Sequence, residues 1–182
     1  MIKRQVFFSF RNSFDAWRAS QVRQMEAFDA NSTFSDNDWE VTRSKSDYSI
    51  ENWINSQMKM RSCVVVLIGA HTQGRKWINY EIQQAWKSGK GIVGIYIHGL
   101  KDREGEQAFK GSNPFEDFCV DTTFNYIEQR KTPLDSDERN LSKIVKAYNP
   151  PYINSKDVYD YIKRNMSSWI EEAIAIRNRY PK

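Results

Sequence analysis

Two apolar runs constrain the fold of this chain more than any other feature. Ser62-Cys63-Val64-Val65-Val66-Leu67-Ile68-Gly69 and Gly91-Ile92-Val93-Gly94-Ile95-Tyr96-Ile97 are continuous, rich in β-branched residues and bounded by polar residues or glycine. A strand that is apolar at every position has no solvent face, so each run reads as a strand covered on both sides, the habit of parallel sheets. Between them Trp77, Tyr80, Glu81, Gln84 and Ala85 recur at helical spacing, which predicts a helix over 76–87. Strand, helix, strand in this order is a βαβ unit.

The pattern extends in both directions. Gln5-Val6-Phe7-Phe8-Ser9-Phe10 reads as a first strand, followed by Arg11-Asn12-Ser13 and a helix with Phe14, Trp17, Val22 and Met25 as its apolar positions. A strand over 28–34 is only weakly signalled, because Asp29, Asn31 and Ser32 interrupt it. Residues 36–46 are polar and loop-like, and Ser46-Asp47 then caps a helix expected over 47–59. Downstream, 101–114 is a charged loop long enough for a functional insertion or lid, and 118–126 is a candidate last strand. Residues 131–140 are polar and expected to be exposed. From Ser155 a helix with Val158, Ile162, Met166, Trp169 and Ile170 on one face should pack on the sheet. The expected organisation is an α/β domain over 1–130 and a C-terminal extension over 131–182 whose helix packs on that same domain.

A chain of 182 residues suits one such domain, which buries about 70% of its unfolded surface and needs no staple. Two cysteines are too few for a secreted disulfide framework, and Cys63 lies inside an apolar strand, so a reducing cytoplasm is expected. Neither a signal-type segment nor a membrane span is visible. The net charge of +4 comes from 27 basic residues interspersed with 23 acidic ones. That pattern does not indicate nucleic-acid binding, whereas a modest positive bias suits an anionic small molecule.

Several familiar chemistries fail on their required residues. Gly69 and Gly74 bracket four residues after a strand, as in a P-loop, but Arg75-Lys76 replaces the needed Lys-Ser/Thr pair and no hydroxyl is offered to magnesium. No Gly-x-Gly-x-x-Gly is present, which argues against a conventional dinucleotide dehydrogenase. A phosphoacceptor of the receiver type needs clustered acids at strand ends, yet the first strand ends in Ser9-Phe10-Arg11. His71 and His98 follow neighbouring strands, but no acid or cysteine cluster accompanies them, so no metal site is expected.

Arg75-Lys76-Trp77-Ile78-Asn79-Tyr80-Glu81-Ile82 is the remaining candidate. In parallel α/β sheets ligands bind beyond the carboxyl ends of strands, where this segment begins. Trp77 and Glu81, four apart, share one helix face and can form one wall of a pocket. Taken alone, the segment also fits an ordinary solvated acid near a helix start, with Trp77 simply in the core.

Two boxes resemble one family. Val6-Phe7-Phe8-Ser9-Phe10-Arg11 looks like the first box of Toll/interleukin-receptor (TIR) domains, and Trp77-x-x-x-Glu81 looks like their catalytic-glutamate box. With Trp39-Glu40, Ser46-Asp47, Val66-Leu67-Ile68-Gly69, Lys101-Asp102 and Asn113-Pro114-Phe115, the pattern over about 3–118 is similar to the TIR-like ThsB proteins of bacterial Thoeris anti-phage defence. The resemblance implies a flavodoxin-like three-layer α/β sandwich with a central, mostly parallel sheet and here a C-terminal helical extension. It implies cleavage of the nicotinamide-ribose bond of NAD, with NAD as substrate and no separate cofactor or metal. The product would be a cyclic ADP-ribose-type signal for a ThsA-like effector, and the protein would self-associate on activation. Glu81 would be catalytic, Phe8, Ser9, Phe10 and Arg11 would line the nucleotide pocket with Trp77, and the loop carrying Trp39, Lys45 and Asp47 would be the mobile loop over it. Arg11, Arg75 and Lys76 are candidates to hold the pyrophosphate. The helix start is expected to help keep Glu81 ionised.

The chain departs from the family pattern at Ile78, where many plant members carry cysteine, and in the 39–47 loop, which lacks the usual proline. A non-catalytic TIR-like interaction module is the alternative. A nucleotide- or RNA-binding flavodoxin-like domain is a third reading.

Overall fold

The structure, a computed structural model, describes residues 3–25 and 45–181. Its elements are β1 (Val6–Ser9), α1 (Asn12–Arg23), α2 (Asp47–Met58), β2 (Cys63–Ile68), α3 (Lys76–Lys87), β3 (Gly91–Tyr96), β4 (Phe118–Asp121), β5 (Tyr126–Gln129), β6 (Glu138–Asn140), β7 (Lys146–Tyr148) and α4 (Ser155–Arg177), with short 3-10 turns before β4 and β7. The weakly signalled strand over 28–34 lies outside the described residues.

β1, β2, β3 and β7 form a four-stranded sheet in that order, and every pairing is parallel. The two-residue period of each strand sorts its side chains between two layers. Phe7, Val64, Val66 and Ile68 face Ile50, Ile54 and Met58 of α2 and Ile78, Ile82 and Trp86 of α3. Val6, Phe8, Val65 and Leu67 face Ala19 and Val22 of α1 and Val158, Ile162, Met166 and Trp169 of α4. Each fully buried large apolar side chain contributes roughly 1.5–3 kcal/mol, so continuous apolar runs end up in the middle layer. The outcome is the expected flavodoxin-like α/β sandwich. No helix among the described residues is long and apolar enough to cross a membrane.

The second half of the chain departs from expectation. Residues 118–126 are not one strand: Asp121 Oδ1 accepts from the backbone N–H groups of Thr123 and Phe124 at 2.7 and 3.1 Å, turning the chain into the β4–β5 hairpin. β6 comes from the stretch expected to be a polar exposed segment, and the three strands form a separate antiparallel sheet ordered β5-β4-β6. Phe118, Val120 and Ile127 from this sheet join the α2/α3 layer.

The 101–113 segment is pinned rather than loose. The N–H of Ala108 donates to His98 O at 2.9 Å, and Asp102 Oδ1 accepts from the N–H groups of Glu104 and Glu106. Gly111 passes so close to Gly69 O that a Cβ there would stand 2.0 Å from it.

Candidate functional site

The site begins with strand alternation. Phe7 and Ser9 share the face of β1 that looks toward α2 and α3, and Ser9, the last residue of β1, is 1% exposed. In α3, Ile78, Ile82 and Trp86 are buried on the helix's sheet-facing side, and Glu81 is buried beside them. The Ser9 hydroxyl donates a hydrogen bond to Glu81 Oε2. The first strand and the glutamate helix, 72 residues apart in sequence, thus meet at a buried carboxyl group beyond the carboxyl end of a parallel strand.

The intervening loop is built to hold this position. Thr72 is fully buried, and its hydroxyl accepts from the Gly69 N–H at 2.9 Å and donates to Leu67 O at 3.4 Å. Gly74 has a φ of +76°, a left-handed conformation that favours glycine, and so turns the chain into α3.

Burial decides the charge state of Glu81. Only 5% of the residue is exposed, and loss of hydration pushes its pKa from the ordinary 4.5 up to about 8, with the Ser9 hydroxyl pulling the other way. This corrects the expectation that a helix start keeps Glu81 ionised. Glu81 lies in the second turn of α3, whose first turn holds no acid, and the dipole effect fades beyond that first turn.

The other expected site residues divide clearly. Trp77 is half-buried against the α2/α3 layer, edge-on to Tyr80 at 6.1 Å, with Lys76 Nζ 4.7 Å from its ring. Asp47, at the start of α2, forms an ion pair with Lys76. Both partners are more than half exposed, so the pair is worth at most about 1 kcal/mol, but it sets the start of α2 beside the start of α3. Lys45 is exposed just ahead of α2. Trp39 lies outside the described residues.

Phe8 and Phe10 are corrections. Alternation along β1 sends Phe8, 1% exposed, into the α1/α4 layer, and Phe10 packs against that same layer. Neither side chain shares the face of Ser9 and Glu81; both support β1 from behind.

Arg11 follows Ser9 by two residues and lies with its guanidinium carbon 4.1 Å from the Phe14 ring centre. Partial burial and then the nearby charge of Arg75 depress its pKa, with Asp15 opposing. Two guanidinium groups from the β1–α1 and β2–α3 loops therefore converge beyond adjacent strand ends. Arg75 is fixed by donation from Nε to His71 O at 3.1 Å.

One cluster was missed in the sequence. Arg18 is 4% exposed and donates to Leu100 O, Glu106 O and Asp102, while its Nη1 lies 3.6 Å from Asp15 Oδ1. The i,i+3 spacing of Asp15 and Arg18 on a helix was a readable signal, whereas their meeting with Asp102 depends on the tertiary path of the 101–113 segment.

Comparison with known proteins places the matched segment in one family. The family described as Thoeris protein ThsB, TIR-like domain, matches residues 7–102, a segment running from β1 through α3 to β3 and just beyond. The chain is also 34% identical over 118 residues to ThsB1 of Bacillus cereus (strain MSX-D12), named as a candidate cyclic ADP-D-ribose synthase. That alignment covers 62% of this chain and 62% of the relative's own length. With the matched segment spanning more than half of the chain and containing the Ser9–Glu81 pair, the chain belongs to the Thoeris ThsB TIR-like domain family.

Proposed function

We propose that this protein cleaves the nicotinamide-ribose bond of NAD through Glu81 and releases a cyclic ADP-ribose-type nucleotide. The observation that carries the reading is the buried Ser9–Glu81 hydrogen bond beyond the end of β1. The name of the 34% identical relative supports the same chemistry.

The bond that breaks joins ribose C1′ to the pyridinium nitrogen, and nicotinamide leaves neutral with the bonding pair. The ribose becomes oxocarbenium-like, and a carboxylate beside it stabilises that charge and orients the hydroxyls. Ring closure follows when a nucleophilic atom of the same nucleotide, rather than water, takes C1′. With its pKa pushed up to about 8 by burial, Glu81 is mostly protonated at neutral pH. A cationic pyridinium brought alongside favours its ionised form, so substrate charge and catalytic charge arise together. Ser9 acts as a positioning residue, holding the carboxyl group through its hydroxyl. Arg11 and Arg75 are the groups for the pyrophosphate, and Trp77 with Lys45 and Asp47 at the start of α2 forms the outer wall. The nucleotide product would reach its effector by diffusion, and self-association of the chain would accompany activation.

The test is nicotinamide release from NAD by the active, assembled protein. Glu81→Gln, which keeps shape and hydrogen bonding, is expected to remove turnover at least a hundredfold while the fold persists, the scale seen when one preorganised electrostatic group is lost. Equal release by wild type and variant would return the chain to the scaffold reading.

A further inference from the structure

The antiparallel sheet β5-β4-β6 lies outside the 7–102 segment that matches the family model, yet it runs alongside the helix that carries Glu81. Asp117, the residue before β4, meets the loop that enters α3: Gln73 Nε2 donates to Asp117 Oδ1 at 2.9 Å. Asn125, in the turn after β4, meets the other end, where its Nδ2 donates to Lys87 O at 2.9 Å and its Oδ1 accepts from Arg177 Nη2 at 3.1 Å. Phe118, Val120 and Ile127 fill the space between, against Ile78, Ile82 and Trp86 of α3. A helix of 12 residues is about 18 Å long, so β4 follows α3 from its start to its end as a splint.

The two anchors hold different things. At the far end Asn125 satisfies one of the last carbonyls of α3, a need of any helix terminus. At the near end Asp117 is 6% exposed in a short 3-10 turn whose Glu116 O accepts from Asn140 Nδ2 at 2.9 Å. β4 pairs with a strand on each side, so this carboxyl group is presented from a rigid base. Its burial is unfavourable unless its oxygens are used; Gln73 takes Oδ1, and the exposed Lys131 reaches that atom at only 3.5 Å. Beyond Gln73 come Gly74, with its φ of +76°, and Arg75, the residue that opens α3. Glycine has the widest choice of backbone conformations, so this turn is the natural hinge of the loop. The Asp117 contact immobilises the residue just before the hinge, and Arg75 stands just after it.

We infer that Asp117 is a positioning residue for the reaction at Glu81: through Gln73 it fixes the Gly74 turn, and with it the place of the Arg75 guanidinium relative to Glu81. This rests on the proposed NAD reading, in which Arg75 receives the pyrophosphate while Glu81 faces the ribose. Glu81 keeps its own anchors, the Ser9 hydroxyl and its buried neighbours on α3, so losing the Asp117 contact loosens the binding group and spares the chemical one. The signature is a rise in KM with kcat held.

The experiment measures nicotinamide release from NAD by the active, assembled protein, together with hydrogen–deuterium exchange of the full chain without substrate. Asp117→Ala and Gln73→Ala should each raise KM about fivefold or more, keep kcat within about twofold of wild type, and speed amide exchange over residues 73–76. Asp117→Asn, which keeps an acceptor for Gln73, should restore the wild-type KM. In an Arg75→Ala background Asp117→Ala should add nothing to KM, and Asn125→Ala, which frees the far end of the splint, should leave KM unchanged. Gln73 is only half-buried on a loop, so its truncation keeps the test decisive if Asp117→Ala folds poorly. An unchanged KM in both alanine variants, a loss in kcat rather than KM, an equal rise in Asn125→Ala, or a further rise in the Arg75→Ala background would each overturn the assignment. A wild type that releases no nicotinamide overturns the proposed function; exchange over 73–76 then decides the splint alone, faster in Asp117→Ala if it stands and unchanged if it falls.

Discussion

Replacing Glu81 with glutamine should make the protein more stable at alkaline pH, and the size of the effect follows from burial. The folded-state pKa of Glu81 lies at about 8, above its ordinary 4.5. A group raised in this way contributes stability that is fully present below the unfolded value and is lost as pH rises through the folded one. Each pH unit in that window is worth about 1.4 kcal/mol, which sums to about 4–5 kcal/mol in the absence of relaxation. Reorganisation around the new charge reduces this, leaving an expected advantage of about 2–4 kcal/mol for Glu81→Gln at pH 9. Near pH 4.5 the two proteins should be close to parity, because both side chains are then largely neutral. All other titrating groups cancel in the difference between the two proteins. The assay is urea unfolding followed by tryptophan fluorescence at pH 5, 7 and 9, where the midpoints should diverge to about 1 M. Parallel stability curves from pH 5 to 9, or a glutamine variant that weakens as pH rises, would refute the reasoning that Glu81 is buried and neutral at rest.

Ser9→Ala removes the one hydrogen bond from the described residues that lowers the Glu81 pKa. Its kcat/KM for NAD should therefore rise through a higher pKa than that of wild type, read as nicotinamide release against pH. Arg177 is 1% exposed and donates to Trp86 O, Asn125 Oδ1, Tyr180 O and Pro181 O, with its guanidinium carbon 4.4 Å from the Trp86 ring centre. Arg177→Met strips these carbonyls of their donors and should lower stability by about 3 kcal/mol in chemical unfolding, with nicotinamide release lost only as the folded fraction falls.

What the sequence revealed and what it hid divide along physical lines. β2, β3 and α3 were legible because their apolar content is dense and periodic: the helix expected over 76–87 is Lys76–Lys87 in the structure. α2 was legible from its Ser46 cap, whose side chain accepts from the Ser49 N–H. β7 was hidden because Lys146-Ala147-Tyr148 is too short to show any period; it is a strand only because β3 offers it an edge. At the candidate site, the spacing of Glu81 from Trp77 left it ambiguous, and the resemblance of the two boxes to TIR domains singled it out. Its protonation was not legible, because that depends on how completely α3 and β1 close over it. Phe8 and Phe10 were misplaced because the box around Ser9 was read as a unit, although strand alternation separates neighbours by a full sheet thickness.

The position of β7 has a consequence for the chain as it leaves the ribosome. Its partner β3 ends at Tyr96, yet residues 146–148 emerge about 50 residues later, and α4 later still. At roughly 5–20 residues per second, β3 waits several seconds with an open edge and half of its apolar side chains uncovered. An unpaired, flat, apolar edge is a template for joining other chains. The nascent protein therefore depends on its last fifth to end that exposure, and a stop codon placed before residue 146 would yield an aggregating fragment rather than a smaller working domain.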